Sequence, residues 1–245
     1  MTNISRNPRN YPATLLLPGD SFDVETNQLM GRRVAGKEFA IGIVNNLRKG
    51  EELNIIVYSE KEKEYLKTIL LPYLPSNTSL NIHTDISKIN KRYLENLHIP
   101  GPDIEKWSAI RANESPNKFS ITGIIHTICS TSIINGFKEY IFGGLESWDA
   151  LVCTSSSGKA VVERTIDFYH ESFERKYDVK ITKKNRPQLY TIPLAVNDIT
   201  NDSSLTRKEK RFKSRKKLEI TDEAIVILYL GRLSFHSKSH PLALY

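Results

Sequence analysis

The sequence has few cysteines and no long hydrophobic run, and each shortage excludes a class of protein. Among its 245 residues are two cysteines, Cys129 and Cys153. Two are too few for a disulfide framework or a cysteine-based metal cluster, and their apolar surroundings predict small buried side chains. No apolar stretch approaches the roughly 20 residues that a membrane-spanning helix needs. The polar start "MTNISRNPRNYP" lacks the apolar region of a secretion signal, so a cytoplasmic location is expected.

Common nucleotide-binding and metal-binding motifs are missing too. No GxGxxG pattern follows the first apolar run, so a dinucleotide-dependent dehydrogenase has little support. The stretch "SSSGKAVVE" lacks the first glycine of a phosphate-binding loop and is better explained as a serine-capped helix start. His236 and His240 have no carboxylate or cysteine nearby, and no metal is expected. Three further histidines have no recognisable partner and are predicted to be structural or surface residues: His83, His98 and His170.

What the sequence does contain is an excess of positive charge, with a formal net charge of +7. Such an excess favours an anionic partner, whether a phosphate-bearing ligand, a membrane surface or nucleic acid. Much of it lies in residues 207–217, which hold eight basic side chains. A solvated helix is the simpler interpretation of that segment, and contact with an anionic membrane surface is the alternative.

Apolar runs alternate with helix-forming segments along most of the chain. Buried strands are predicted for "ATLLLPG", "ELNIIVYSE", "LNIHTD", "KFSITGIIHT", "WDALVCTS" and "QLYTIPLAV". Helices are predicted for "LMGRRVAGKEFAIGIVNNLRKG", capped by Gly50, and for "KEKEYLKTILLPYL", "STSIINGFKEYIFG" and "SSGKAVVERTIDFYHESFERKY". Repeated βα units with apolar strands indicate an α/β fold, a Rossmann-like parallel sheet with helices on both faces. Such sheets bind ligands at the carboxyl ends of their strands.

Changes in polar, apolar and charged composition divide the chain into four segments. Residues 1–11 form a polar tail and residues 12–197 the Rossmann-like domain. Residues 198–222 are a charged interdomain linker with a basic helix, which Ser203 or Ser204 is able to cap. Residues 223–245 begin a second Rossmann-like domain, with "AIVILYLGRL" as its first strand.

Three stretches contain candidate site residues. Gly31 and Gly36 flank two arginines near a helix N-terminus, which suits either anion binding or close helix packing. His126 ends a predicted strand, where it can hydrogen-bond a ligand or move a proton. Arg232 and Lys238 lie together just after another strand, and two such cations suit a diphosphate.

The ordered set "SWDALVCTSSSGKAVVE", "IPLAVND" and "AIVILYLGRLSFHSKSHP" resembles the retaining glycosyltransferases of family 4. Those proteins have the GT-B fold, two Rossmann-like domains joined by an "IPxGV-N/D" segment, and the second domain opens with "GR" and a nearby lysine. The stretches "FSITGIIHT" and "MGRRVAGKEF" also look like this family. The resemblance covers nearly the whole chain.

The resemblance implies transfer of a sugar from a nucleotide-sugar to a glycan or lipid-linked acceptor, with retention of configuration. Arg232 and Lys238 would neutralise the donor diphosphate, with Gly31 and Gly36 at the loop approaching the phosphates. His126 would match the histidine near the reacting sugar, as the catalytic residue. The nucleotide-sugar is a co-substrate, and no cofactor or bound metal is implied. Assembly of cell-surface polysaccharide is a further expectation from the family. A peripheral contact at the inner face of the membrane is the alternative that the basic segment 207–217 leaves open, since glycosyl acceptors are often lipid-linked.

Two features depart from the family's pattern. Ala195 occupies the position where the interdomain segment usually has glycine. The paired glutamates that contact the sugar and the ribose should lie downstream of "GRL", and nothing follows Tyr245. The chain is therefore expected to be an incomplete transferase with little activity alone. The alternative function is a basic, non-catalytic binding module for nucleic acid or another polyanion, although no nucleic-acid motif is present.

Overall fold

A computed structural model describes residues 9–25, 30–88, 94–113, 119–195 and 206–228 of the chain. The chain divides into two compact units, Met1–Leu194 and Ala195–Tyr245. No helix within the described ranges has the length and apolar character needed to cross a membrane.

The first unit is built on a single sheet in which every strand pair is parallel. Its strands within the described residues are β1 (Arg9–Asn10), β2 (Ala13–Leu16), β3 (Glu51–Ile56), β4 (Ser79–His83), β5 (Asn96–Ile99), β6 (Ser120–Ile124), β7 (Ala150–Cys153) and β8 (Gln188–Thr191). The predicted α/β, Rossmann-like fold class is thereby confirmed.

Helices follow most of the strands. They are α1 (Gly19–Phe22), α2 (Gly31–Asn45), α3 (Glu60–Leu70), α4 (Glu105–Ala112), α5 (Thr131–Gly136), α6 (Glu139–Phe142) and α7 (Ser156–Tyr177). Short 3-10 turns occupy Leu71–Tyr73, Ile86–Lys88 and Lys183–Asn185.

Apolar side chains cover both faces of the sheet. Leu15 and Leu17 belong to one buried cluster, whereas Leu16 belongs to a second one. Because successive side chains of a strand point to opposite faces, the two clusters lie on opposite sides of β2. The first cluster includes Val44 of α2, and the second includes Val162 of α7, so helices bury each face.

The order of the strands reverses at β2. Read across the sheet, the strands run β4, β3, β2, β5, β6, β7 and β8. The two-residue strand β1 pairs with the first two residues of β3. The chain therefore builds outward from β2 to β4 and then returns to the other side of β2 as β5. In doubly wound folds, ligands bind in the crevice that such a reversal opens at the carboxyl ends of the strands.

Three local predictions were wrong. Helix α2 ends at Asn45 with Asn46 as its C-cap, whereas Gly50 lies beyond it in the turn before β3, with a φ of 84° that glycine adopts readily. The stretch "STSIINGFKEYIFG" forms two short helices, with Gly136 ending the first. Cys153 is buried as predicted, but Cys129 is exposed because it lies in the loop that leaves β6.

In the second unit, α8 (Arg207–Lys217) contains the whole basic segment. Its cap is Thr206, not Ser203 or Ser204, because the Thr206 hydroxyl and the Glu209 carboxylate satisfy each other's backbone N–H groups. The predicted strand over 224–233 is only partly described, and its described residues, 224–228, are not in a strand. The remaining residues of that prediction lie outside the described ranges.

Candidate functional site

A cavity of about 920 Å³ opens at the carboxyl edge of the sheet, where the strand order reverses. Pro18 and Gly19, which follow β2, line one side, and Pro100 and Gly101, which follow β5, line the other. His126, two residues after β6, completes this edge. The cavity thus occupies the position at which an open parallel sheet binds its ligand.

The Glu62 carboxylate holds two loops of this edge together. Its Oε1 accepts the N–H of Gly19 at 2.8 Å, and its Oε2 accepts the N–H of Tyr58 at 2.7 Å. Ser59 caps α3 by accepting the Glu62 N–H at 3.2 Å, which orients the first turn of the helix. Both carboxylate oxygens are therefore committed to the backbone, and the loops after β2 and β3 are tied to each other.

The segment after β5 packs closely against β6 and α6. A side chain at Gly123 would place its Cβ 2.5 Å from the Gly101 carbonyl oxygen, so only glycine permits this approach. The buried Tyr140 hydroxyl donates to the Pro102 carbonyl at 2.5 Å, and burial raises the pKa of that hydroxyl well above its usual value. These contacts fix where α4 begins.

Helix α4 contributes an acid and an aromatic ring to the cavity. Glu105, in its first turn, and Trp107 both line the cavity and are half-buried. Burial raises the pKa of Glu105, and its buried Oε2 atom has no hydrogen-bond partner among the described residues. Asp103 and Lys106, at the same helix start, pair with each other at 2.7 Å. Glu105 therefore offers a polar atom that a ligand could satisfy.

His126 faces this acid-lined cavity as a half-buried side chain. Burial lowers its pKa from the ordinary value, and the Arg32 guanidinium lowers it further. The imidazole is accordingly neutral near pH 7, with one nitrogen able to donate and the other able to accept a hydrogen bond. Arg32 itself, in the first turn of α2, is paired with Asp20 at 2.5 Å.

His98, in β5, packs next to this site with partners that sequence reasoning did not find. Its Nδ1 lies 3.0 Å from the Thr122 hydroxyl, and its ring lies 5.0 Å from that of Phe39. Burial lowers its pKa to about 4, and the nearby His126 adds to the shift. His98 is therefore a neutral packing residue.

The predicted glycines have different surroundings. Gly31 is the first residue of α2, with open space where a Cβ would lie. Gly36 is buried, and a Cβ there would lie 2.0 Å from the Ser21 carbonyl oxygen of α1. Gly36 thus permits close packing of α1 on α2, the alternative that the sequence left open, and neither glycine lines the cavity. Arg232 and Lys238 lie outside the described residues.

Sequence reasoning missed the side of the cavity that α4 supplies. A signal for it exists, because the same pattern follows both strands that flank the reversal. Residues 17–20 read "LPGD" directly after β2, and residues 99–103 read "IPGPD" from the last residue of β5 onward. Recognising the second occurrence would have placed a loop and a helix start there.

Among the residues that the structure describes, no group of three or more His, Cys, Asp or Glu side chains could hold a metal ion. No protein-family model matches the chain, and neither a curated protein nor a solved structure matches it. The function proposed next is supported by the cavity's own residues and by the resemblance in sequence.

Proposed function

We propose that this cavity binds the acceptor of a retaining glycosyltransferase, which receives a sugar from a nucleotide-sugar. The observation that carries the proposal is that neutral His126 and the ring of Trp107 line one cavity at the strand-order reversal. An indole ring packs on the apolar face of a sugar ring, and a neutral imidazole hydrogen-bonds its hydroxyl groups. The sequence resemblance names the same histidine as the residue near the reacting sugar.

The charges of the cavity suit the acceptor better than the donor diphosphate. Both cations that line it, Arg32 and Lys106, are already paired with carboxylates. A leaving diphosphate needs cations that are free to neutralise it. The sequence assigns that role to Arg232 and Lys238, which stays a prediction.

Transfer is tested in the complete natural gene product, with UDP- and GDP-sugars as donors and an oligosaccharide panel as acceptors, read by mass spectrometry. Gly136→Phe fills the cavity, because the nearest atom to a Cβ at Gly136 is the Glu105 Oε1 at 3.9 Å. Gly42→Phe is the matched control, since Gly42 is exposed on α2 with open space around it. We expect transfer by the wild type and Gly42→Phe, and its loss in Gly136→Phe. Absence of any glycosylated product, or full activity of Gly136→Phe, contradicts the proposal.

The second candidate function, polyanion binding, is favoured by α8. Six of its eight basic side chains are exposed: Arg207, Lys208, Arg211, Lys213, Lys216 and Lys217. Binding through such cations weakens steeply with salt. Polyuridylate RNA is the probe, and changing Lys213, Lys216 and Lys217 together to Gln should reduce both affinity and salt dependence. Equal binding by the triple variant and wild type excludes this candidate.

A further inference from the structure

We propose that the molecule held in this cavity is an uncharged, polyhydroxylated glycan, and that one of its hydroxyl groups donates to the Glu105 carboxyl group. The inference rests on the proposed function and specifies the chemical class of the acceptor. The inference is that the cavity binds neutral glycans in preference to glycans that carry uronate or phosphate groups.

The first support is the charge of the cavity lining, which is opposite in sign to that of the chain. Of the residues that the structure describes, four with carboxyl groups and two with cationic side chains line the cavity. The carboxyl groups belong to Asp20, Glu62, Asp103 and Glu105. The whole chain has a formal net charge of +7. An anionic group entering this cavity would therefore meet net repulsion, which discriminates against phosphates and uronates.

The second support is that neither lining cation is free. The Arg32 guanidinium lies 2.5 Å from the Asp20 carboxylate, and the Lys106 ammonium lies 2.7 Å from that of Asp103. Because a carboxylate already offsets the charge of each cation, a bound anion would gain less from contact with either one. Neutral hydroxyl groups do not depend on that charge.

The third support is the unequal use of the two glutamates. Both carboxylate oxygens of Glu62 accept hydrogen bonds from the backbone N–H groups of Gly19 and Tyr58. Within the described part of the chain, the buried Oε2 of Glu105 has no hydrogen-bond partner, which is costly; a turn of the carboxyl group toward the cavity would let a ligand supply a donor. A sugar hydroxyl is such a donor, whereas an ionised carboxylate or phosphate offers acceptors alone.

The apolar part of the lining agrees with a sugar ring. Trp107, Tyr58 and Phe137 line the same cavity, together with Ile110 and Ile133. Aromatic rings that present an apolar face beside hydrogen-bonding groups suit a molecule with apolar C–H faces and polar edges.

The fluorescence of a tryptophan that lines the cavity can be used to measure binding. It has two tryptophans, of which Trp107 lines the cavity and Trp148 does not. Trp148 is 43% exposed, so Trp148→Phe should leave the fold intact and Trp107 as the sole tryptophan, which is excited selectively over the tyrosines at long wavelength. Its fluorescence is titrated with hexose and N-acetylhexosamine oligosaccharides, with hexuronate oligosaccharides of equal length, and with inorganic pyrophosphate. We expect a saturable change with a neutral oligosaccharide and none with pyrophosphate.

Variants of Glu105 test how much its carboxyl group contributes to the affinity for the oligosaccharide. In the Trp148→Phe background, Glu105→Ala should weaken binding of the neutral oligosaccharide about tenfold, because it removes the acceptor. Glu105→Gln keeps an acceptor oxygen and the size of the side chain, and should stay within about threefold of the parent. Glu171→Ala, at an exposed position of α7, is the control and should change nothing.

The outcomes separate this inference from the proposed function. Saturable binding of hexuronates, with no response to neutral glycans, overturns the inference and leaves an acceptor site in place. Equal affinities of Glu105→Ala and Glu171→Ala overturn the role of Glu105. The absence of a saturable response to every glycan contradicts the inference and the proposed function together.

Discussion

Arg111 and Asp149 form a fully buried ion pair with two parallel contacts, 2.6 Å between Nη1 and Oδ1 and 2.7 Å between Nη2 and Oδ2. Their side chains are 1% and 0% exposed. The pair joins α4 to the residue just before β7. It therefore fixes the helix that places Glu105 and Trp107 in the cavity.

Further hydrogen bonds satisfy both charges. Arg111 also donates to the carbonyls of Phe119 at 3.0 Å and Gly144 at 2.7 Å. Asp149 accepts the backbone N–H groups of Ile121 at 2.7 Å and Glu146 at 2.8 Å. A buried pair with this many partners is costly to break, because either member alone would be an uncompensated charge.

Removing one member should therefore destabilise the first unit strongly. Arg111→Met is expected to lower the free energy of unfolding by about 3–5 kcal/mol, measured by urea denaturation at pH 7. Lys67→Met is the control, since Lys67 forms an exposed pair with Glu64 and should cost less than about 1 kcal/mol. Equal effects of the two variants would show that the buried pair contributes no more than a surface one.

The packing of α1 on α2 makes opposite predictions for two glycines of one helix. Gly36→Ala should cost about 1–3 kcal/mol, because the new Cβ would meet the Ser21 carbonyl oxygen. Gly42→Ala should stabilise the protein by about 0.5–1 kcal/mol, since it adds helix propensity in open space. Thermal and urea unfolding of both variants measure the difference. Stabilisation by Gly36→Ala would disprove the close contact.

The lowered pKa of His98 predicts a loss of stability in mild acid. The folded pKa is about 4, below the ordinary 6.5, so the unfolded chain takes up the proton first as the pH falls. The stabilisation is complete above pH 6.5 and is lost progressively between pH 6.5 and about 4. His126, whose pKa is also lowered, contributes in the same direction.

His98→Gln isolates this effect because Gln keeps a group that can bond the Thr122 hydroxyl. Between pH 7.5 and 4.5, the wild type should lose about 2–3 kcal/mol more of its unfolding free energy than the variant. Urea denaturation across that range gives both slopes. Parallel slopes would show that His98 titrates normally in the folded protein.

His126 is expected to contribute to turnover more than to stability. In the complete natural gene product, His126→Ala should reduce kcat about a hundredfold while the Tm changes by a few degrees at most. His126→Gln should recover part of the loss, because an amide can replace one hydrogen bond. Unchanged kcat in His126→Ala would remove this residue from the mechanism.

Much of the fold could be predicted because its signals are local. The apolar runs that form β2, β3, β6 and β7 indicate buried parallel strands. The serine cap predicted for α7 is also present, as Ser155. Two of the described strands were not predicted: β1, which lies in the segment expected to be a polar tail, and β5, which is four residues long and includes two polar side chains. Asn96 and His98 are tolerated there because Ser120 and Thr122 of the neighbouring strand bond them. That pairing joins residues 24 apart in sequence and has no local signature.

By itself, the sequence determined that apolar strands alternate with helices, and hence that a parallel sheet forms with His126 at its carboxyl edge. Strand propensity and burial act over a few residues, so they can be read along the chain. Only the tertiary structure decided that the loops after β2 and β5 face one cavity, that Arg32 is paired with Asp20, and that Gly36 lies against α1. Those relationships depend on strand order and helix packing, which join residues distant in sequence and are set by the fold as a whole.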